Sequence, residues 1–305
     1  MNYPKAWLIL GKAFVLHQEE TFLWFCVACV LVFWAACARV IYRYPSLYTL
    51  AFPFSFSSLL AVERGNTDLV LVGPMFFAFS HSVLAGLFVV VLGTVLKIYP
   101  CFSAAALVSR PRLFGLTVLL TGFYLLTQIS DIQLLKSLTP QSGWWSYGAV
   151  STSLVLEPKL KFLISPILIQ AGLLVITACF VFWLRKTPMM VGSQASPHEK
   201  QLFLAGAGIY VGTFFFASNW DYRMVFLLLC LPFLAAFRCK AWRHFSLLLV
   251  LLATNQIYLL KIPMDLAWLA NVAAKSALFV VLAGLGLNLF LEEWKFGAFQ
   301  SRQAE

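Results

Sequence analysis

Three short polar stretches interrupt an otherwise strongly apolar chain, and each carries side chains that can bind an anion or move a proton. They are "ERGNTD" at 63–68, "KIYP" at 97–100 and "DYR" at 221–223. The guanidinium of arginine is a planar fork of donors that suits phosphate, and lysine supplies a compact positive charge. Ionisable residues beside membrane segments are functional candidates by default. We therefore expect the binding and chemistry of this chain to lie at these three stretches.

Each stretch also has a simpler interpretation. Arg64 can form a surface ion pair with a neighbouring carboxylate at a helix turn. Lys97 can extend its ammonium to the membrane interface while its stem stays among apolar groups. Asp221 and Arg223 can simply pair with each other. The sequence leaves these alternatives open.

The composition identifies the environment in which these residues must work. Of the 305 residues, 61% are hydrophobic and 11% are charged, and the mean hydropathy is +0.86. A soluble domain is nearer half apolar and a quarter charged. The chain is therefore predicted to be an all-α, polytopic membrane helix bundle, because helices satisfy their own backbone groups in lipid. The net charge of +10 is expected to set topology rather than to bind nucleic acid.

The sequence does not indicate a cofactor or a metal. Cys26 and Cys29 share a helix face in "CVAC", but no histidine or carboxylate accompanies them inside that apolar run. Packing by small apolar side chains is favoured over a metal or redox site.

The apolar runs predict the helices that must position the polar stretches. A spanning helix needs about 20 apolar residues. The clearest runs are 22–41, 112–128, 162–184, 201–217, 222–237, 244–260 and 269–291. Between 44 and 109, prolines and glycines cut the pattern into shorter pieces, at about 46–62, 68–80, 82–97 and 99–109. Broken helices at membrane depth occur where they are buried in protein or line a cavity, so this region is the predicted location of a site.

Basic residues predict which ends of these helices face the cytoplasm. If 46–109 crosses the membrane an even number of times, twelve of the 22 lysines and arginines fall on the cytoplasmic side. They are Arg39, Arg43, Arg110, Arg112, Arg185, Lys186, Lys200, Arg238, Lys240, Arg243, Lys295 and Arg302. Eight of the twelve carboxylates then lie outside: Glu19, Glu20, Glu63, Asp68, Asp131, Glu157, Asp221 and Asp265. Chemistry that needs an acid is therefore expected on the external face.

The whole chain, 1–305, is interpreted as one transmembrane domain. Residues 1–21 are predicted to form an external interfacial segment, 22–128 a core with broken helices, 129–161 an external loop and 162–305 the C-terminal helices. Within the loop, "GWWSYG" at 143–148 is interpreted as an interfacial aromatic belt, with sugar stacking as the alternative. Because the chain starts on the external side, we expect a helix to precede it in a longer protein.

The order of the motifs resembles a known family. "NYP" at 2–4, "RGNTD" at 64–68, "KIYP" at 97–100 and "DYR" at 221–223 are similar to motifs of the multi-pass glycosyltransferases of the GT-C fold. The chain most resembles the bacterial polyprenyl-phosphate-mannose-dependent mannosyltransferases and their uncharacterised relatives. In that family a first external loop carries the catalytic aspartate. This sequence begins at about the motif that follows the loop, so we expect transfer by this chain to depend on a substitute acid.

The resemblance implies a multi-pass protein of the bacterial plasma membrane with a lipid-linked sugar donor and a glycan or glycolipid acceptor. A carboxylate would take the proton of the acceptor hydroxyl as it attacks the anomeric carbon, and basic side chains would stabilise the leaving lipid phosphate. Asp68 is the predicted catalytic residue. The predicted substrate-binding residues are Arg64, Asn66, Lys97, Tyr99, Asp221 and Arg223.

Two other classes of function remain open at this point. Broken helices around a polar site are typical of transporters, so a transporter or lipid flippase is one alternative, although no internal repeat is visible. A non-catalytic assembly subunit is the other.

Overall fold

The structure is a computed structural model of the chain. It describes residues 9, 11–12, 18–138, 146–160, 164–187, 194–215, 219–255 and 263–303. The motif at Asn2, Tyr3 and Pro4 and most of the predicted interfacial segment 1–21 lie outside these ranges.

The described chain is a helical bundle, as the sequence predicts. The α-helices are α1 (Glu19–Arg43), α2 (Leu47–Ala51), α3 (Phe56–Glu63), α4 (Asp68–His81), α5 (Val83–Lys97), α6 (Pro111–Thr127), α7 (Ile129–Leu138), α8 (Ala149–Leu160), α9 (Pro166–Lys186), α10 (Pro197–Phe215), α11 (Leu231–Ala235), α12 (Lys240–Thr254) and α13 (Met264–Gln303). Three 3₁₀ helices join them, at Phe52–Phe54, Tyr99–Leu107 and Asp221–Leu229. A two-stranded antiparallel sheet pairs β1 (Ser146–Tyr147) with β2 (Asn219–Trp220).

Among the described residues, three helices are long and apolar enough to cross a membrane: Glu19–Arg43, Pro166–Lys186 and Leu266–Gly297. Large apolar side chains such as Trp24, Phe123 and Leu168 are at least two-thirds exposed on the outside of the bundle. An exposed apolar surface of this extent marks contact with a membrane or with another protein. The coarse prediction of a helical membrane protein agrees with these features.

The predicted break between 44 and 109 is present. Of the four predicted pieces, the first, 46–62, is divided by the short 3₁₀ helix at Pro53. The last, 99–109, forms the 3₁₀ helix Tyr99–Leu107 rather than an α-helix. A 3₁₀ helix rises about 2.0 Å per residue, so nine residues extend about 18 Å. The Tyr99–Leu107 helix therefore covers a longer distance than an α-helix with the same number of residues.

The predicted span over 222–237 is not a single continuous α-helix. That segment consists of the 3₁₀ helix Asp221–Leu229 followed by α11, which has Pro232 near its start. Residues 224–235 are buried throughout. A helix that is apolar all round can be buried in protein as well as in lipid, and here protein surrounds it.

Residues 129–161, which the sequence predicts to form an external loop, have secondary structure of their own. They contain α7, β1 and α8. Tyr147 is 2% exposed, so the tyrosine of "GWWSYG" belongs to the core and not to an interfacial belt. Trp144 and Trp145 lie outside the described residues.

Two glycines of α10 allow the Tyr99–Leu107 helix to pack closely against it. A Cβ at Gly208 would overlap the backbone carbonyl of Phe102, and a Cβ at Gly212 would overlap the Phe102 ring. The 3₁₀ helix therefore lies directly against the α10 backbone, in the middle of the bundle.

Side-chain contacts show that the bundle has two chemically different ends. At one end, Glu199 at the start of α10 pairs with Arg43 at the end of α1, with Oε1 and Nη2 2.8 Å apart. His198 is bonded there to the carbonyl of Phe79, near the end of α4. Asp68 begins α4 eleven residues earlier, which at 1.5 Å per residue is about 16 Å away. We call these the arginine end and the Asp68 end.

Other helices connect the same two ends. Lys97 ends α5 at the Asp68 end, where its Nζ lies 2.5 Å from Asp68 Oδ1. In α13, Lys275 lies eighteen residues, or about 27 Å, before Glu293, and Glu293 pairs with Lys200 at the arginine end. Both ends carry acids together with bases: Asp68 pairs with Lys97 at one end, and Glu199 and Glu293 pair with basic residues at the other.

Candidate functional site

The "ERGNTD" stretch forms a tight turn between α3 and α4. The amide of Gly65 donates to the carbonyl of Val62 at 3.0 Å, and the amide of Asn66 donates to that of Ala61 at 2.9 Å. Gly65 has a φ of 52°, a left-handed conformation that favours glycine. The Asn66 side chain then accepts the amide of Asp68 at 2.8 Å. The turn therefore fixes Asp68 at the first position of α4.

Asp68 is fully buried and forms an ion pair with Lys97. Lys97 Nζ lies 2.5 Å from Asp68 Oδ1 and 3.4 Å from Asn66 Oδ1. The Tyr99 hydroxyl donates to the same Asp68 oxygen. Lys97 is only 6% exposed, which contradicts the alternative in which it extends to the membrane interface.

The backbone between Lys97 and Tyr99 explains how both reach one carboxylate. Ile98 has a φ of 27°, which is rare for a β-branched residue. This bend ends α5 and starts the 3₁₀ helix at Tyr99. Strained positions of this kind concentrate at functional sites, and here the bend turns two polar side chains toward Asp68.

Arg223 joins the cluster from the Asp221–Leu229 helix. Its guanidinium carbon lies 5.0 Å from the centre of the Tyr99 ring, within the range of a cation–π contact. Its Nη1 donates to the side-chain oxygen of Asn219. Tyr99 is therefore contacted by Arg223 on its ring, and its hydroxyl is bonded to Asp68.

The predicted alternative in which Asp221 pairs with Arg223 was wrong. Asp221 pairs instead with Lys275 of α13, whose Nζ lies 2.8 Å from Oδ1 and 3.0 Å from Oδ2. The same Nζ donates to the carbonyl of Ser146 at 3.1 Å. Lys275 was not singled out from the sequence. An isolated lysine within a long apolar run was the available signal, because ionisable residues inside membrane helices are rare and costly.

The small sheet holds this second ion pair beside the first. Ser146 pairs with Trp220, and Tyr147 pairs with Asn219. The carbonyl of Ser146 is thereby placed against Lys275, and Asn219 is placed against Arg223. The sheet therefore ties the 146–147 segment to both charged clusters.

Two stacked tyrosines, Tyr147 of the sheet and Tyr210 of α10, pack beside Lys275. The rings of Tyr147 and Tyr210 lie 5.0 Å apart with an angle of 7° between their planes. The hydroxyl of Tyr147 is bonded to that of Thr213 at 2.9 Å, and the hydroxyl of Tyr210 donates to the carbonyl of Lys275 at 2.9 Å. Both rings are almost fully buried, so they form a rigid support for Lys275.

The structure brings most of the predicted site residues together. Asn66, Asp68, Lys97, Tyr99 and Arg223 form one connected cluster, and Asp221 lies in the adjacent pair with Lys275. Arg64 is different, because it is exposed and its guanidinium carbon lies 5.8 Å from the ring centre of Trp220. It therefore lies at the surface beside the second pair rather than in the buried cluster.

Among the described side chains, the charges of this site do not cancel. Lys97, Arg223 and Lys275 are cations, whereas Asp68 and Asp221 are the carboxylates that pair with the two lysines. The remaining positive charge lies on Arg223, next to the Tyr99 ring. Arg223 is half-buried, so this charge is only partly hydrated, which is costly in an apolar bundle. The arrangement suits a ligand that brings a negative charge.

One carboxylate oxygen of the cluster accepts no hydrogen bond from any described residue. Among the described residues, Asp68 Oδ2 is buried and has no partner, while Asp68 Oδ1 accepts from both Lys97 and Tyr99. Polar atoms in this situation are uncommon in native proteins. Oδ2 is thus a buried acceptor atom to which no described residue donates.

Comparisons with known families, curated proteins and solved structures gave no match to this chain. Within the described ranges, no group of three or more histidine, cysteine or acidic side chains is arranged to hold a metal ion.

Proposed function

We propose that this chain is an integral-membrane glycosyltransferase of the GT-C kind, which binds a polyprenyl-phosphate sugar at the Asp68 end and transfers its sugar to an external glycan or glycolipid. The observation that carries the proposal is the cluster in which Lys97 and Arg223 both lie near the ring of Tyr99, whose hydroxyl is bonded to Asp68. Charged side chains at such depth in an apolar bundle are functional candidates, and a cluster with excess positive charge suits a lipid phosphate.

The orientation follows from the two ends of the bundle. The basic residues Arg43, Lys200 and Arg243 lie at the arginine end, and we propose that this end faces the cytoplasm. The Asp68 end then faces outward, where an external acceptor has access. The broken helices 46–109 run between the two ends four times, which agrees with the even number of crossings required by the charge pattern.

In the proposed reaction, the acceptor hydroxyl attacks the anomeric carbon of the donor sugar. The bond from that carbon to the phosphate oxygen breaks, and the lipid phosphate leaves with the electron pair. Arg223 and Lys97 stabilise the negative charge that develops on the phosphate. Positioned donors in a dry site are worth more than donors in water; Lys97 is buried and Arg223 is half-buried.

The proton of the acceptor hydroxyl needs a base, and Asp68 remains the proposed residue. Its Oδ1 is anchored by Lys97 and Tyr99, which fixes the carboxylate, and its Oδ2 is open among the described residues. Asp221 is less suitable because both of its oxygens accept from Lys275. As Asp68 is 0% exposed, the substrates must separate the surrounding helices to reach it.

A transfer assay tests the proposal. Purified protein is incubated with labelled polyprenyl-phosphate mannose and a mixture of glycan and glycolipid acceptors, and release of polyprenyl phosphate is measured together with labelled product. Asp68→Asn is expected to abolish transfer while donor binding persists. Glu63→Gln is the matched control, because Glu63 is an exposed acid of the same turn. Transfer by Asp68→Asn at the wild-type rate would exclude Asp68 as the base.

A lipid flippase is the second candidate, and one observation favours it. Two long 3₁₀ helices, Tyr99–Leu107 and Asp221–Leu229, both start at the charged cluster, and discontinuous helices at a polar site are typical of transporters. Release of polyprenyl phosphate in the transfer assay separates the two candidates. A flippase moves a labelled lipid-phosphate sugar between leaflets of a vesicle without releasing polyprenyl phosphate.

A further inference from the structure

The arginine end contains a cavity that the proposed transfer reaction does not use. Its volume is about 620 Å³, it is open to the surface, and three arginines line it together with one carboxylate: Arg43, Arg238, Arg243 and Glu199. The cavity lies between the end of α1, the start of α10 and the connection from α11 to α12. It is thus formed by segments that are distant in sequence.

The carboxylate is part of a fixed arrangement. Glu199 is 4% exposed, and its Oε1 lies 2.8 Å from Arg43 Nη2. The hydroxyl of Tyr44 donates to the same carboxylate, and the amide of Ser196 donates to Oε2 at 2.7 Å. Burial, together with the neighbouring Glu199, raises the pKa of Tyr44 to about 12, so Tyr44 stays neutral and remains a donor. Glu199 therefore orients Arg43 at the edge of the cavity.

The other two arginines have no such partner within the described residues. Arg43 is the one arginine of the cavity that lies within ion-pair distance of a described carboxylate. Arg238 is exposed and Arg243 is half-buried. The cavity accordingly carries two positive charges in excess. Arg243 also belongs to the first turns of α12, which has no side-chain cap and no acid there, and a helix N-terminus adds to the attraction for an anion.

Aromatic side chains indicate the level at which this cavity lies. The rings of Trp183 and Trp242 are 5.6 Å apart, and Trp242 precedes Arg243. Trp183 is 38% exposed, Phe245 is 47% exposed and Tyr42 is 87% exposed. Tryptophan and tyrosine are enriched at the headgroup level of membranes, where their rings meet both apolar and polar surroundings. The cavity therefore opens beside a surface of the kind that contacts lipid headgroups.

We propose that the cavity between Arg43, Arg238 and Arg243 binds a phosphate-bearing anion, and that the ligand is the headgroup of an acidic phospholipid. Arginine matches phosphate oxygens with two parallel hydrogen bonds, and basic pockets between helices on the cytoplasmic side suit anionic headgroups. The site is at the opposite end of the bundle from Asp68, so it is separate from the proposed donor site.

Binding to the purified full chain in detergent tests the proposal. Short-chain phosphatidylglycerol, short-chain phosphatidylcholine and inorganic phosphate are titrated separately, and bound ligand is counted by native mass spectrometry. We expect phosphatidylglycerol to bind at least tenfold more tightly than phosphatidylcholine. Arg243→Gln and Arg238→Gln are each expected to weaken phosphatidylglycerol binding about tenfold or more, since a charge-assisted contact is lost.

Arg185→Gln is the matched control, because Arg185 is an exposed arginine of α9 that does not line the cavity. It is expected to bind like the wild type, and all variants are compared at equal thermal stability without ligand. Equal binding of the two lipids, or equal losses in the control and the cavity variants, would overturn the proposal. Inorganic phosphate that binds as tightly as phosphatidylglycerol would overturn the lipid assignment and identify a soluble phosphate as the ligand.

Discussion

Lys275 and Asp221 form a buried ion pair although 54 positions separate them in the sequence, with Nζ 2.8 Å from Oδ1 and 3.0 Å from Oδ2. Their side chains are 4% and 1% exposed. The pair joins α13 to the segment that carries Arg223, and its third contact reaches the sheet at Ser146. It therefore holds α13 and the sheet against the segment that carries Arg223, beside the cluster around Asp68.

Loss of one partner of this pair should be strongly destabilising. Lys275→Met leaves the Asp221 carboxylate buried without its cation, and we expect a loss of about 3–5 kcal/mol. The double variant Lys275→Met/Asp221→Leu should recover much of this loss, because no buried charge remains. Thermal unfolding in detergent measures both effects.

Lys200→Met is the control for that comparison. Lys200 Nζ is also 2.8 Å from a carboxylate oxygen, that of Glu293, but the two side chains are 32% and 18% exposed. Its loss should cost about 1 kcal/mol or less, as for other solvent-accessible pairs. Equal destabilisation by Lys275→Met and Lys200→Met would show that burial of the Asp221 pair has no energetic consequence.

Close packing of the Tyr99–Leu107 helix predicts a second stability effect. An alanine at Gly208 would overlap the backbone carbonyl of Phe102, which cannot move away as a flexible side chain can. We expect Gly208→Ala to destabilise the protein by about 1–3 kcal/mol. Gly115→Ala in α6 has open space around its Cβ and should be neutral or slightly stabilising. The melting temperatures of the two variants check this, and a neutral Gly208→Ala would contradict the packing.

The orientation of the chain can be tested with single cysteines. In a chain whose native cysteines are replaced by alanine, two single cysteines are introduced. Ser130→Cys follows α6, whose Tyr124 is bonded to the carbonyl of Val95 near Lys97, and Gln194→Cys lines the arginine cavity. An impermeant maleimide added to whole cells should label position 130 directly, and position 194 only after permeabilisation. Labelling of position 194 in intact cells would reverse the proposed orientation.

Several parts of the site were predictable because they depend on local signals. The glycine of "ERGNTD" indicated a turn, and the turn places Asp68 at the start of α4. "KIYP" placed Lys97 and Tyr99 at a helix end, and the structure has them there. In each case, a few neighbouring residues determine the outcome.

The choice of ion-pair partners was not predictable in the same way. The short sequence separation suggested that Asp221 pairs with Arg223. In the structure, α13 brings Lys275 next to Asp221, which directly follows the sheet. Similarly, an apolar run such as 222–237 has the same sequence pattern whether lipid or protein surrounds it. Only the packing of distant helices shows that protein buries this segment.

The central claim is that Lys97 and its cluster recognise a lipid phosphate, and the most direct test compares polyprenyl phosphate with uncharged polyprenol. Both are titrated against wild type, Lys97→Gln and Lys97→Arg, with Lys240→Gln at the arginine end as the control. We expect Lys97→Gln to weaken polyprenyl phosphate binding about 10- to 100-fold and to leave polyprenol binding unchanged, with Lys97→Arg intermediate. The ratio of the two affinities within each variant is independent of folded yield. The same ratio in wild type and Lys97→Gln would contradict the claim.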